Sequence, residues 1–75
     1  MAKYIRFDRN PLELCQGKPE WFVCSKRTGK PLGHMVWYDA WHQWIFETAP
    51  ETIWSYDCLN DVQQALIRLN KGEQP

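Results

Sequence analysis

The chain lacks a surplus of charge of either sign: nine Lys and Arg residues are balanced by nine Asp and Glu. Without net charge there is no long-range attraction for a phosphate backbone or an anionic bilayer, which argues against a general nucleic-acid-coating role. A local basic patch is still allowed. Paired cysteines are missing as well. Cys15, Cys24 and Cys58 are odd in number, widely spaced and free of any CxxC element. Neither a disulfide framework nor a zinc ribbon is written here. No apolar run approaches the ~18 residues of a membrane-spanning helix, and the opening MAKYIRFDRN has no apolar signal-peptide core. A reduced, cytosolic chain is expected, its thiols acting as small hydrophobes. Repeats, a Gly-rich phosphate loop and the GxSxG and HExxH motifs are absent too.

Aromatic residues are abundant instead. Five Trp, three Tyr and three Phe occur in 75 residues, and residues 37–46, WYDAWHQWIF, hold five of these plus a histidine. A domain this small buries a modest fraction of its surface and compensates with large core side chains. Each aromatic buries on the order of 150–250 Å². Part of the aromatic set is therefore core.

The pattern predicts one domain, 1–75, of α+β class. KYIRFDRN alternates and suits a short first strand. PLELCQGKP, with Pro11, Gly17 and Pro19, reads as a loop with one helical turn around Leu12–Cys15. Residues 20–26, 32–38 and 41–47 are rich in aromatic and β-branched types and predict strands joined at RTGKP and Asp39-Ala40. Ile53 and Trp54 suit a brief edge strand. Leu59, Val62, Leu66 and Leu69 then recur at helical spacing. Ser55 or Asp57 caps that helix and Gly72 ends it. The expected architecture is an antiparallel meander of three to four strands with one C-terminal helix packed on one face.

Pairing Trp37 with His42, and Phe22 with Met35, places Phe22, Cys24, Met35, Trp37, Trp44 and Phe46 under the helix. The other face then holds Trp21, Val23, Leu32, His34, Val36, Tyr38, Trp41, Gln43 and Ile45. It is either covered by the N-terminal segment (Tyr4, Ile5, Phe7, Leu12, Leu14) or left as an exposed contact surface. A one-residue slip in register would exchange the faces.

Catalysis has little support. In this register His34 and Cys24 point to opposite faces, and only His42 shares a face with Cys24. No two of the Cys and His residues sit at metal-ligand spacing, so no cofactor or metal is expected. Lys26, Arg27 and Lys30 cluster at one hairpin tip beside an aromatic sheet. That combination suits a single-stranded nucleic acid, by stacking and phosphate contact. Trp and Tyr are equally the residues that dominate protein interfaces. The expected contact set is Trp21, His34, Tyr38 and Trp41 with Lys26, Arg27 and Lys30. Protein binding leads, and nucleic-acid binding is the alternative. The chain is a monomer, or a homodimer closed by its spare face, and no membrane contact is expected.

GHMVWYDAWHQWIFE followed by TIWSYDCLNDVQQALIRLN resembles a pattern in small uncharacterised proteins of bacteriophages and prophages. Its marks are a Gly before WY, then W-x-Q-W-x-F, then a Thr–aliphatic–aromatic–Ser step and CL-x-D leading into a helix. Gly33, Trp37, Tyr38, Trp41, Gln43, Phe46, Ser55, Cys58, Leu59 and Asp61 carry the pattern and look like fold markers. The resemblance covers the C-terminal two-thirds. It implies an accessory protein of the bacterial host cytosol that binds a host protein or nucleoprotein complex, as inhibitors of host defence (anti-CRISPR proteins among them) do.

Overall fold

A computed structural model describes residues 4–15 and 17–75, and the side chains of all of these but 11–15. Lys3, the cover expected of Leu12 and Leu14, and the thiol of Cys15 lie outside the described residues. Four strands, β1 (Ile5–Cys15), β2 (Lys18–Ser25), β3 (Pro31–Tyr38) and β4 (Gln43–Thr48), precede one helix, α1 (Tyr56–Asn70). The strands form a single antiparallel sheet in the order β1-β2-β3-β4. The expected α+β meander with a C-terminal helix is the architecture found.

The N-terminal segment departs from the sequence reading. Residues 11–15, expected as a loop with a helical turn, continue β1, and the register shifts between Arg9 and Leu14. A proline is tolerated in an edge strand at such an irregularity. Gly17, at φ 78°, makes the turn into β2. The N-terminal segment thus joins the sheet as an edge strand and does not lie over a face.

Register decides which side chains meet the helix. β3 and β4 pair Trp37 with Trp44, Met35 with Phe46 and Gly33 with Thr48. This is two residues from the expected pairing, so the faces of both strands are as expected. β2 pairs Trp21 with Met35 and Phe22 with His34. That is one residue from expectation, so β2 is inverted. Trp21 and Val23 point to the helix side, whereas Phe22 and Cys24 point away. The cause is a bulge: Val23 pairs with Gly33 but Cys24 with Pro31, leaving Leu32 as the extra residue of β3.

The core joins Ile5, Val23, Met35 and Trp44 from the sheet to Val62, Ala65 and Leu69 from α1. Phe46 and Trp37 pack against it half-buried, as expected of the core aromatics. Ala65, fully buried, lets the helix approach the sheet. Leu59, expected in the buried stripe, is 48 % exposed and corrects that reading.

Both helix ends are closed by local chemistry. Ser55 Oγ accepts from the Cys58 backbone N–H at 3.1 Å. At the other end the N–H groups of Gly72 and Glu73 return to the carbonyls of Leu69 and Arg68, and Gly72 takes the left-handed φ of 84°. These are the two bonds of a Schellman motif. Asn70 Oδ1 accepts the backbone N–H of Trp44 at 2.9 Å and so pins the helix to the edge of β4.

Residues 53–54 form no strand. Residues 49–55 are instead a loop closed on itself. Thr52 Oγ1 donates to the Ala49 carbonyl at 2.8 Å, Trp54 Nε1–H donates to Thr52 Oγ1 at 2.9 Å, and the Trp54 ring meets Phe46 edge-on at 5.0 Å.

Candidate functional site

The sheet face away from α1 carries no second layer among the described residues. Alternation along the strands places Arg6, Asp8 and Asn10 of β1, Glu20, Phe22 and Cys24 of β2, His34, Val36 and Tyr38 of β3, and Gln43, Ile45 and Glu47 of β4 on it. Despite that openness, Val36 and Cys24 are buried. Polar side chains lie around them on this face.

Those side chains form a connected network. Asn10 Nδ2 donates to Glu20 Oε1 at 3.1 Å. Glu20 Oε2 faces His34 Nδ1, and His34 Nε2 lies 2.9 Å from Glu47 Oε1. Beside it, Arg6 Nε donates to Asp8 Oδ2 at 2.8 Å. A neutral imidazole has one N–H, so only the protonated ring donates to both carboxylates. Burial by itself would lower His34. The hydrogen bonds to Glu20 and Glu47, reinforced by their charges, outweigh it and raise the ring above its ordinary 6.5. The hydrogen bond from His34 acts most strongly on Glu20. With that from Asn10 it holds this carboxyl below its ordinary 4.5, against the opposing effect of burial.

These shifts make stability depend on pH with a definite sign. A raised His34 stabilises the fold fully below 6.5, and that contribution is lost as pH climbs through the raised value. A depressed Glu20 contributes above 4.5 and is lost as pH falls through its lowered value. The urea midpoint is therefore expected to be highest between 4.5 and 6.5 and to decline on the alkaline side. In His34→Gln the alkaline decline should vanish; an unchanged alkaline limb in that variant would assign the titration to another group.

Inversion of β2 also brings Cys24 onto the face of His34, contrary to expectation. Burial, with the nearby charge of Asp8, raises the Cys24 thiol above its ordinary range, so it stays protonated. Among the described residues no three His, Cys, Asp or Glu side chains are grouped to hold a metal ion.

The expected contact residues separate into three places. Tyr38 and Trp41 stack edge-on, centroids 5.2 Å apart, at the β3–β4 reversal, and Trp41 is 67 % exposed. His42, at φ 55°, turns back there and sets its ring 5.1 Å from Trp37. Lys26, Arg27 and Lys30 lie at the β2–β3 tip, ordered by the Gly29 N–H to Ser25 carbonyl bond at 2.8 Å and by the Ser25 and Thr28 hydroxyls. β3, eight residues long, separates the aromatic pair from this tip by roughly 25 Å. His34 lies between them on the open face. Trp21 is corrected to the helix side. There it lines a cleft of about 320 Å³ with Arg9, Lys18 and Trp44, and its buried Nε1–H has no partner among the described residues.

Sequence reasoning missed two features. One is the Glu20–His34–Glu47 network, whose members are 14 and 13 residues apart and meet only through the register. The other is a set of exposed apolar side chains where β4 gives way to α1: Ile53, at 96 % exposure, with Tyr56 and Leu59. No helix among the described residues is long and apolar enough to cross a membrane. No family model matches the chain, and neither a curated protein nor a solved structure does.

Proposed function

We propose that the chain is a non-enzymatic, phage-type accessory protein that binds a host protein in the bacterial cytosol, as an inhibitor of a host defence or nucleoprotein complex. The observation that carries the binding reading is the Tyr38–Trp41 pair: two large aromatics held edge to face in solvent at a tight reversal. Aromatic side chains fixed in advance lose little entropy on docking and commonly dominate interface energy. The single-strand reading needs cations beside the stacking platform. Here the basic tip lies at the far end of β3, and the middle of the face holds two carboxylates. Charge and geometry both favour a protein partner.

A tagged pull-down from host lysate, with and without nuclease, tests this. A stoichiometric host protein that survives nuclease is expected. The double substitution Tyr38→Ala, Trp41→Ala should weaken its capture about a thousandfold, each ring contributing about 2 kcal/mol, with the circular dichroism unchanged. Capture that disappears with nuclease would transfer the face to nucleic acid. Unfolding of the double variant would make the two rings structural.

A further inference from the structure

Glu20 and Glu47 both face His34 but are not equivalent. Glu20 is 13 % exposed and both its oxygens are engaged, by Asn10 and by His34. Glu47 is 59 % exposed, and only its Oε1 accepts a bond, from His34. Its second oxygen has no partner among the described residues. Two carboxylates around one imidazolium leave one negative charge unbalanced. Arg6 does not supply the missing cation, because Asp8 holds it at 2.8 Å. Beside Glu47 the face opens into a cleft of about 240 Å³, lined by Phe22, Pro31, His34 and Thr48 among others. It is smaller than the ~300–1,000 Å³ of pockets for drug-sized ligands, and its walls combine an aromatic ring, a proline and a half-satisfied carboxylate.

We propose that this cleft receives the side chain of an arginine presented by a protein partner, its guanidinium on the free Glu47 oxygen and its stem along Phe22 and Pro31. This rests on the protein-binding reading above and specifies the chemistry of the partner. A guanidinium is planar and weakly hydrated, so it stacks on an aromatic ring while it donates to a carboxylate. A phosphate would meet like charge here.

The test is an amide NMR titration of the whole chain with N-acetyl-arginine methylamide, the matching glutamine compound and spermidine. The blocked arginine should give saturable shifts, centred on Phe22, His34, Glu47 and Thr48, in the millimolar range. The glutamine compound should bind at least about tenfold more weakly, and so should arginine to Glu47→Gln. Glu47 lies on the exposed edge strand, so away from Glu47 itself and its partner His34 the variant's spectrum should superpose. If it does not, raising salt from about 0.05 to about 0.5 M on the unsubstituted chain provides the same discrimination, since a partly exposed pair is screened. Shifts that do not saturate, that centre elsewhere, or that survive both Glu47→Gln and salt would overturn the proposal. Spermidine binding about tenfold tighter than arginine would overturn it in favour of a free polyamine. The pull-down through Tyr38 and Trp41 is read separately, so either result can fail without the other.

Discussion

Trp44→Ala is expected to remove about 3–5 kcal/mol of stability. A 75-residue domain holds only about 4–11 kcal/mol in total, so the variant should lose a large share of its stability and unfold at a much lower urea concentration. The reason is position. Trp44 is buried between the sheet and α1, in the same cluster as Met35, Val62 and Leu69. Its ring also meets Trp37 edge-on at 6.3 Å, an arrangement worth about 0.5–1.5 kcal/mol beyond burial. Its backbone N–H holds Asn70 and thereby the end of the helix. Truncation would empty the centre of the layer and loosen the clamp beside it. Urea unfolding followed by far-ultraviolet dichroism measures the loss. A change below about 1 kcal/mol would mean that the helix finds another seat. Trp41→Ala is the natural control: the same residue type, three positions earlier and in solvent, should change stability by no more than about 0.5 kcal/mol.

Gly33→Ala should be nearly as severe for the opposite reason. A Cβ at this position would lie 2.5 Å from the backbone carbonyl oxygen of Glu47 and 2.8 Å from two atoms of the Phe46 ring. The oxygen belongs to the strand paired with Gly33, so it can retreat only if the β3–β4 ladder opens. Overpacking of this kind costs about 3 kcal/mol. A second consequence distinguishes it from simple destabilisation. Displacing β4 moves Glu47 away from His34, so the titration of the ring, followed by NMR, should fall back toward its ordinary value. A variant as stable as the unsubstituted chain, with His34 unmoved, would show that β4 accommodates the methyl group.

The parts of this fold that were legible in the sequence are those specified by local chemistry. The helix announced itself through its 3.6-residue spacing, Ser55 before it and Gly72 after it, and both caps form as those residues require. The last three strands, β2 to β4, were legible from their aromatic and β-branched content. Lateral placement was not. Leu32 is extra in β3, and although Pro31 and Gly33 flank it, neither fixes where the register steps, yet that single bulge inverts β2 and exchanges Trp21 with Phe22. The Glu20–His34–Glu47 network was invisible because it needs two such steps at once: the bulge that turns Glu20 toward His34 and the two-residue shift of β4 that sets Glu47 opposite it. Leu12 and Leu14 sit between Pro11 and Gly17, which read as breakers, so the long first strand was hidden. Tyr38 and Trp41 were legible because they flank a reversal, where side chains have least room to be covered.

The meander has a bearing on synthesis as well as on shape. Every strand pairs with its neighbour in the chain, so the sheet is complete at Thr48, whereas α1 ends at Asn70. Residues 49–70, 22 in all, must still be translated before Val23, Met35 and Trp44 acquire their cover. At ~5–20 residues per second that interval lasts about 1–4 s. The cover of the apolar face is therefore the last element to be made, and Val23, Met35 and Trp44 stay unburied until α1 docks, so the burial that holds the sheet together waits on the end of the helix.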